Sequence, residues 1–232
     1  MTDPHSHSHS HPHPAPGADS AGAGAGGPER FDQEFWDDRY RTATALWSGN
    51  PNRHLVAEAA GLSPGSALEL GAGEGADAIW LAGKGWEITA VDISAVALER
   101  AAGNAARVGP AIAGRVRWLR RGLLTWRPPE ATYDLVSAQY LHLPPEPRQQ
   151  LFDALARSVA PGGTLLIVGH HPSDVRDRHP MPELFFTGDD IADCLDPGGW
   201  AVVTNGAPEH TTTDADGQPV TGHDTVFRAR RP

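Results

Sequence analysis

The stretch between residues 67 and 92 leaves this chain few folds to choose from. Ala67-Leu68-Glu69-Leu70 is a short, mainly apolar run of the kind that forms a buried strand, and glycines at 71, 73 and 75 interrupt it. Those glycines release the backbone from the sterics of a Cβ and let a ligand approach the main chain closely. Residues 76–82 predict a short helix that stops at Gly83. Its first-turn N–H groups point toward the glycine turn. Residues 86–91 predict a second strand ending on Asp92. A carboxylate there, about twenty residues beyond the turn, is placed to accept both hydroxyls of a ribose. Strand, turn, helix, strand and acid together make one nucleoside-binding βαβ half.

The glycines fit Gly-x-Gly-x-Gly and also the looser dinucleotide pattern, which accepts an alanine such as Ala76 at its last position. Glu69, two residues before the first glycine, separates these readings. An acid at the mouth of the turn repels a pyrophosphate but suits a ligand carrying an amino group or a sulfonium. In these residues the chain resembles motif I of the class I S-adenosylmethionine-dependent methyltransferases. There an acidic residue precedes Gly-x-Gly-x-Gly and a second acid ends the next strand. The resemblance implies an α/β, Rossmann-like class I fold: a seven-stranded, mostly parallel sheet with the last strand antiparallel and helices on both faces. It also implies S-adenosylmethionine as cofactor, with Glu69, Gly71, Ala72, Gly73, Gly75, Asp92 and Ile93 among the residues that bind it.

Composition narrows the partners. The 232 residues carry a formal net charge of -10 and no Lys/Arg-rich run before the very C-terminus, so the basic footprint of a nucleic-acid binder is missing. Cys194 is the only cysteine, which excludes an internal disulfide and suits a reducing cytosol. No apolar run is long enough to span a bilayer, and the N-terminus lacks the apolar region of a secretory signal. A soluble, cytoplasmic monomer or homodimer is expected. Residues 1–28 alternate His with Ser and Pro at His5, His7, His9, His11 and His13, then turn to Pro, Gly and Ala. Such a segment buries no apolar surface, and a disordered tail without a specific metal site is expected. Residues 29–232 then form the methyltransferase domain, with 29–62 as an N-terminal helical lid and 63–232 as the catalytic core.

Within the lid, Phe31, Phe35, Trp36 and Tyr40 fall on one helical face, with Asp32, Asp37 and Asp38 mostly elsewhere. A loop over 46–52 leads to a second helix over 53–60. By the resemblance, Tyr40, Trp47, Asn50 and Arg53 are candidates for the lid and for contact with the methionine end of the cofactor. Ser94 reads as the N-cap of a helix running toward Val108. Residues 116–120 predict a third strand, after which the family usually places an acid that bonds the adenine amino group. Gly122 stands at that point, so Gly122 and Leu123 are expected to line the adenine pocket through main-chain and apolar contacts. Residues 133–139 predict a central fourth strand whose end, with Ser137, Gln139 and Tyr140, opens onto the ligand-binding edge. The Asn/Asp-Pro-Pro-Tyr/Phe sequence of methyltransferases acting on DNA bases or protein glutamine is absent there.

His142 follows in a proline-bounded loop, then a helix over 146–160, the turn Pro161-Gly162-Gly163 and a fifth strand over 164–168. Beyond that strand stand His170 and His171, which point to opposite sides of an extended chain. His142 and His171 are the candidate catalytic bases. His170, His171, Asp174 and His179 are too irregularly spaced for a metal site. Residues 174–187 read as a polar, proline-rich lid, and Thr187-Gly188-Asp189-Asp190 as a capping signal before a helix over 191–195. A sixth strand over 200–203, a turn over 214–217 and a seventh strand over 225–230 complete the chain. Among its relatives the chain looks closest to small soluble methyltransferases of the tellurite-resistance and thiopurine type, which implies a small-molecule acceptor. Two other readings stay open: an NAD(P)-dependent reductase, and a non-catalytic cofactor- or metal-binding protein.

Overall fold

The computed structural model describes residues 32–42, 44–141, 143–175, 182–213 and 218–232. The expectations for residues 1–28, Phe31, His142, His179 and the turn over 214–217 lie outside the described residues. The strand pair expected around the glycine turn forms as β1 (Ser66–Leu70) and β2 (Glu87–Asp92), parallel and in register from Ser66 opposite Glu87 to Leu70 opposite Val91. Helix α1 (Gln33–Thr42) and α2 (Arg53–Ala59) precede them, and α3 (Ala76–Gly83) joins them. Helix α4 (Ala95–Val108) starts at Ser94, whose hydroxyl accepts the Ala97 N–H, and is followed by a one-turn helix α5 (Pro110–Ala113). Then come β3 (Val116–Arg120), β4 (Tyr133–Gln139), α6 (Pro145–Ser158), β5 (Val159–His170), α7 (Gly188–Ala192), β6 (Ala201–Gly206), β7 (Glu209–Thr213) and β8 (Pro219–Arg230).

The sheet runs β3-β2-β1-β4-β5-β8-β6, with β7 paired to β8 off this path. Strands β1 to β5 are parallel, and β8 is antiparallel to both β5 and β6. The described residues therefore hold eight strands rather than the expected seven. The additional strand exists because β8 is twice as long as its apolar run at 225–230 indicates. Its first half pairs with β7 and its second half with β5 and β6. Ala207-Pro208 separates β6 from β7, where proline removes a ladder donor. Strand β5 also begins early: Val159 pairs with Tyr133, and Pro161-Gly162-Gly163 forms a bulge inside the strand.

Alternation divides the sheet between two cores. Leu68, Leu70, Val136, Ile167 and Phe227 face α6 with Leu151, Phe152 and Leu155. Ala67, Leu135, Leu166, Val168 and Val226 face α2 and α3 with Leu55, Leu81 and Trp86. Glu69, His170 and Asp224 share parity with this second set, so three polar residues from three strands share its face. Burying side chains of this size contributes about 1.5–3 kcal/mol each and fixes which residues reach the C-terminal edge.

Asp37, off the aromatic face of α1, is buried, and its Oδ1 accepts the Ser94 hydroxyl at 2.6 Å and the Val96 N–H at 3.4 Å. Helix α1 thereby supplies an acceptor to the exposed donors that begin α4. The described end of the expected polar lid is also anchored. Leu184, Phe185 and Phe186 are buried, and the Phe186 carbonyl accepts the Thr225 hydroxyl at 2.6 Å. Phe186 fills the space beside Gly169, where no Cβ would fit.

Candidate active site

The glycine turn is held from both sides. The Ala72 N–H donates to the Val91 carbonyl at 3.0 Å, and the Gly75 N–H to the Ala72 carbonyl at 2.8 Å. Gly75 caps α3 with φ +86°, and a Cβ there would lie 2.7 Å from Trp118 and 2.9 Å from Ala101. It lets β3 and α4 close on the turn. Gly73, at φ +51°, has α1 and the loop after it directly above it, since a Cβ would lie 3.0 Å from the Tyr40 hydroxyl and 3.4 Å from Trp47 Nε1. Gly71, at φ +68°, begins the turn.

Asp92 ends β2 with both carboxylate oxygens turned into this bend. Oδ2 accepts the Gly73 N–H and Oδ1 the Ser94 N–H, each at 2.8 Å. Burial pushes its pKa up, while the N–H groups of Ser94, Gly73 and Ile93 oppose the rise. A carboxylate has about four acceptor positions, so capacity remains for ribose hydroxyls. The Ile93 side chain lies beside Gly122, 3.9 Å from where a Cβ would stand. An apolar wall is thus present where the family's adenine acid is missing. Leu123 is half-buried against the core that faces α6.

Glu69 is buried at 2% exposure near the end of β1, and its Oε2 has no hydrogen-bond partner among the described residues. Burial, then the nearby carboxylates of Asp77 and Asp92, push its pKa well above the usual carboxylate range. Asp77, in the first turn of α3, is pushed up to about 6 by burial, although it accepts the Asn52 N–H at 2.5 Å. Gln139, at the end of β4, donates to the Ser137 hydroxyl at 2.7 Å and leaves its buried Oε1 without a described partner. Glu69 and Gln139 thus offer buried acceptors beside a glycine cradle, which fits a ligand bearing an ammonium group and hydroxyls.

The loop after α1 is fastened by a residue the motif reading passed over. Glu74, between the second and third glycines, accepts the N–H groups of Leu46 and Trp47 at 3.1 and 3.2 Å, and its other oxygen takes Arg100 at 3.0 Å. Trp47 donates its indole N–H to the Tyr40 hydroxyl at 3.0 Å. Asn50 is exposed, bonded through its N–H to the Ser48 hydroxyl, and stands apart from this contact. Asn52 does more. It caps α2 through His54 and Leu55 N–H, and its side chain also bonds the Tyr140 hydroxyl. Its position before an apolar helix was the available signal for this cap.

Tyr140 has φ +51°, a backbone strain that side chains rarely bear away from functional sites. The twist carries it out of the β4 alternation, so it packs on the core of Ala67 and Leu135 instead of that of Val136. Burial, then Asp224, push its phenol pKa up. Of the two adjacent histidines, His170 has its ring 4.8 Å from that of Tyr140 and approaches Asp224. His171 turns the other way, with Nδ1 2.7 Å from the Ser173 hydroxyl and its N–H on the His223 carbonyl. Sequence reasoning also missed Asp224, His54 and His210, because an acid at a strand start and histidines far apart in sequence give no local pattern.

Residues 67–163 match the family model of a methyltransferase domain. The buried acceptors and glycine cradle just described fit a ligand of the S-adenosylmethionine type, with an ammonium group and ribose hydroxyls. A protein solved in work on the conversion of a disulfide bond into a thioacetal group during echinomycin biosynthesis aligns with 86% of this chain and 91% of its own. Its TM-score is 0.65 and its identity 24%. TehB from Haemophilus influenzae aligns with 86% of this chain and 67% of its own, at a TM-score of 0.64 and 18% identity. The glycopeptide N-methyltransferase MtfA, solved with S-adenosylmethionine, aligns with 79% and 88%, at 0.58 and 16%. At these identities the likeness is one of fold. No curated protein sequence matches the chain significantly. Among the described residues, no helix is long and apolar enough to cross a membrane.

Proposed function

We propose that this domain methylates a small-molecule acceptor in the cytoplasm, with residues 29–62 acting as a lid over the core formed by 63–232. The reading rests on one observation above the others: Glu69 and Asp92 are buried on either side of one glycine turn, and Glu69 keeps an acceptor without a described partner. S-adenosylmethionine, when bound, supplies a methyl group on a sulfonium that departs as a neutral thioether. In this reading Asp92 grips the ribose, Gly71, Ala72, Gly73 and Gly75 receive the amino-acid arm beside Glu69, and Ile93, Gly122 and Leu123 flank the adenine. Gln139 and Tyr140 border the methyl, and Trp47 covers it. Glu69, at the mouth of the turn, disfavours the pyrophosphate of an NAD(P) cofactor. Alignment and exclusion of water by the Tyr40–Trp47 contact supply most of the acceleration for a nucleophile attacking in line. A small acceptor is favoured because a chain of net charge -10 lacks a basic surface for nucleic acid.

Calorimetry with S-adenosylhomocysteine and NAD⁺ tests the reading. Binding of the first alone is expected, weakened at least tenfold in Asp92→Ala. Unchanged affinity in that variant refutes the proposed grip on the ribose. Absence of binding by the wild type refutes the cofactor assignment.

A further inference from the structure

Asp37 is the one acid of α1 that the fold buries, and no role in the cofactor cradle has been given to it above. Its Oδ1 takes the Ser94 hydroxyl at 2.6 Å and its Oδ2 the Gln33 amide at 3.1 Å, with the exposed Arg41 3.9 Å away. Burial works to raise this carboxyl. The bonds from Ser94, Gln33 and Val96, and then the Arg41 charge, outweigh it and hold the group below its ordinary value. Asp37 is therefore an anion at neutral pH.

Ser94 connects this anion to Asp92. Its hydroxyl donates to Asp37 while accepting the Ala97 N–H at 3.1 Å, and its own N–H donates to Asp92 Oδ1 at 2.8 Å. A serine hydroxyl has one proton, so the bond to Asp37 fixes its rotor and leaves a lone pair for the first turn of α4. Ser94 is fully buried, and Asp37 is the acceptor of that proton among the described residues. The other oxygen of Asp92 takes the Gly73 N–H at 2.8 Å. Gly73 also lies under α1, because Tyr40, three residues beyond Asp37 and buried, holds its hydroxyl 3.0 Å from where a Gly73 Cβ would stand. Residues three apart share one face of a helix. Helix α1, which packs chiefly on α4, thus touches both residues whose N–H groups hold Asp92.

We propose that Asp37 is a positioning residue for Asp92, acting through Ser94, and that docking of α1 and binding of a ribose-bearing ligand reinforce each other. The inference rests on the cofactor reading above and deepens it by naming what ties the lid to the cofactor. With α1 docked, the bend from Asp92 to Ser94 is fixed before the ligand arrives. The ribose hydroxyls then meet a carboxylate already held on the Gly73 and Ser94 N–H groups, and less ordering is left to accompany binding. With a ribose bound, the same bend keeps the shape that receives Asp37, so α1 opens less often. The coupling is reciprocal by thermodynamic necessity.

The full chain is digested with trypsin, with and without saturating S-adenosylhomocysteine, and cleavage after Arg39 and Arg41 of α1 is followed by mass spectrometry. Ligand is expected to slow cleavage of the wild type about tenfold and that of Asp37→Ala less than about twofold. In calorimetry, Asp37→Ala weakens S-adenosylhomocysteine about tenfold. Asp37→Asn, which keeps an acceptor for the Ser94 hydroxyl, restores most of that affinity. In an Asp92→Ala background the loss caused by Asp37→Ala disappears, because the group it positions is gone. A merely structural role lowers stability but gives the same loss of affinity in both backgrounds. Equal losses in the two backgrounds overturn the proposal, as does protection of Arg39 and Arg41 that survives Asp37→Ala. Should Asp37→Ala not fold, the wild type decides: cleavage that ligand leaves unchanged overturns it. A wild type that binds S-adenosylhomocysteine without protection strikes the coupling alone, whereas one that does not bind it strikes the cofactor reading and the coupling with it.

Discussion

Glu69→Gln separates the two roles of the buried acid before the glycine turn. The substitution keeps shape and volume but removes a charge whose Oε2 takes no hydrogen bond from any described residue and which faces Asp77 and Asp92. Without ligand at pH 7.5, wild-type Glu69 must either stay ionised in an apolar setting or hold a proton against bulk solvent, and both cost free energy. Replacing this buried carboxyl by a neutral amide, whose NH₂ can donate toward the nearby Asp77 or Asp92, stabilises by about 1–3 kcal/mol. At about 2–4 °C per kcal/mol for a domain of this size, the ligand-free variant should melt about 2–12 °C above wild type. That gain should shrink at pH 5, where the wild-type carboxyl takes up its proton more readily. Binding moves the other way. A charge-assisted hydrogen bond to the ammonium of S-adenosylhomocysteine contributes about 1.5–3 kcal/mol, so its loss weakens affinity by roughly 10- to 150-fold. Thermal melts at the two pH values and calorimetry at pH 7.5 provide the check. A variant that melts lower than wild type and binds equally well refutes the reasoning on both counts.

Two further outcomes follow from the same geometry. Gly75→Ala forces a left-handed residue to carry a Cβ 2.7 Å from Trp118, so a loss of about 2–4 kcal/mol is expected, and a melting temperature within about 2 °C of wild type would contradict the packing. Ligand-free stability should increase as pH falls from 7 to 5. Glu69 and Asp77 have folded pKa values above their unfolded ones, in Asp77 up to about 6, so their contribution falls as pH rises through that window. Asp224, held at about 2, has the opposite sign, and its contribution is lost as pH drops from about 4 toward 2. A melting temperature that declines steadily from pH 7 to 5 would refute this assignment.

Wherever signals were local, the sequence was legible. Alternation was enough to locate the edge strand Val116–Arg120, whose Arg117 and Arg120 are exposed, and a near-continuous apolar run to locate Tyr133–Gln139, because a strand buried on both faces must be mostly apolar. The capping box at Thr187 and Asp190, and the N-cap at Ser94, depend on hydrogen bonds spanning three residues. The strand β7 was not legible, since its residues Glu209 to Thr213 are polar and become a strand only when β8 supplies a ladder. Nor was the role of Asp37 legible, since its partner Ser94 lies 57 residues on and meets it only when α1 packs on the start of α4.

The chain's own order of residues determined the cofactor cradle, because glycines, a leading acid and a terminal acid lie within one βαβ unit. Only the tertiary structure decided the other side of the cleft. Arg53 and His54 stand 170 residues or more before Asp224, and β5, β7 and β8 bring His170 and His210 to the same carboxylate. Local pattern records how a backbone turns, but a buried anion is stabilised by whichever donors the fold carries to it, and their separation in sequence leaves no trace in any short window.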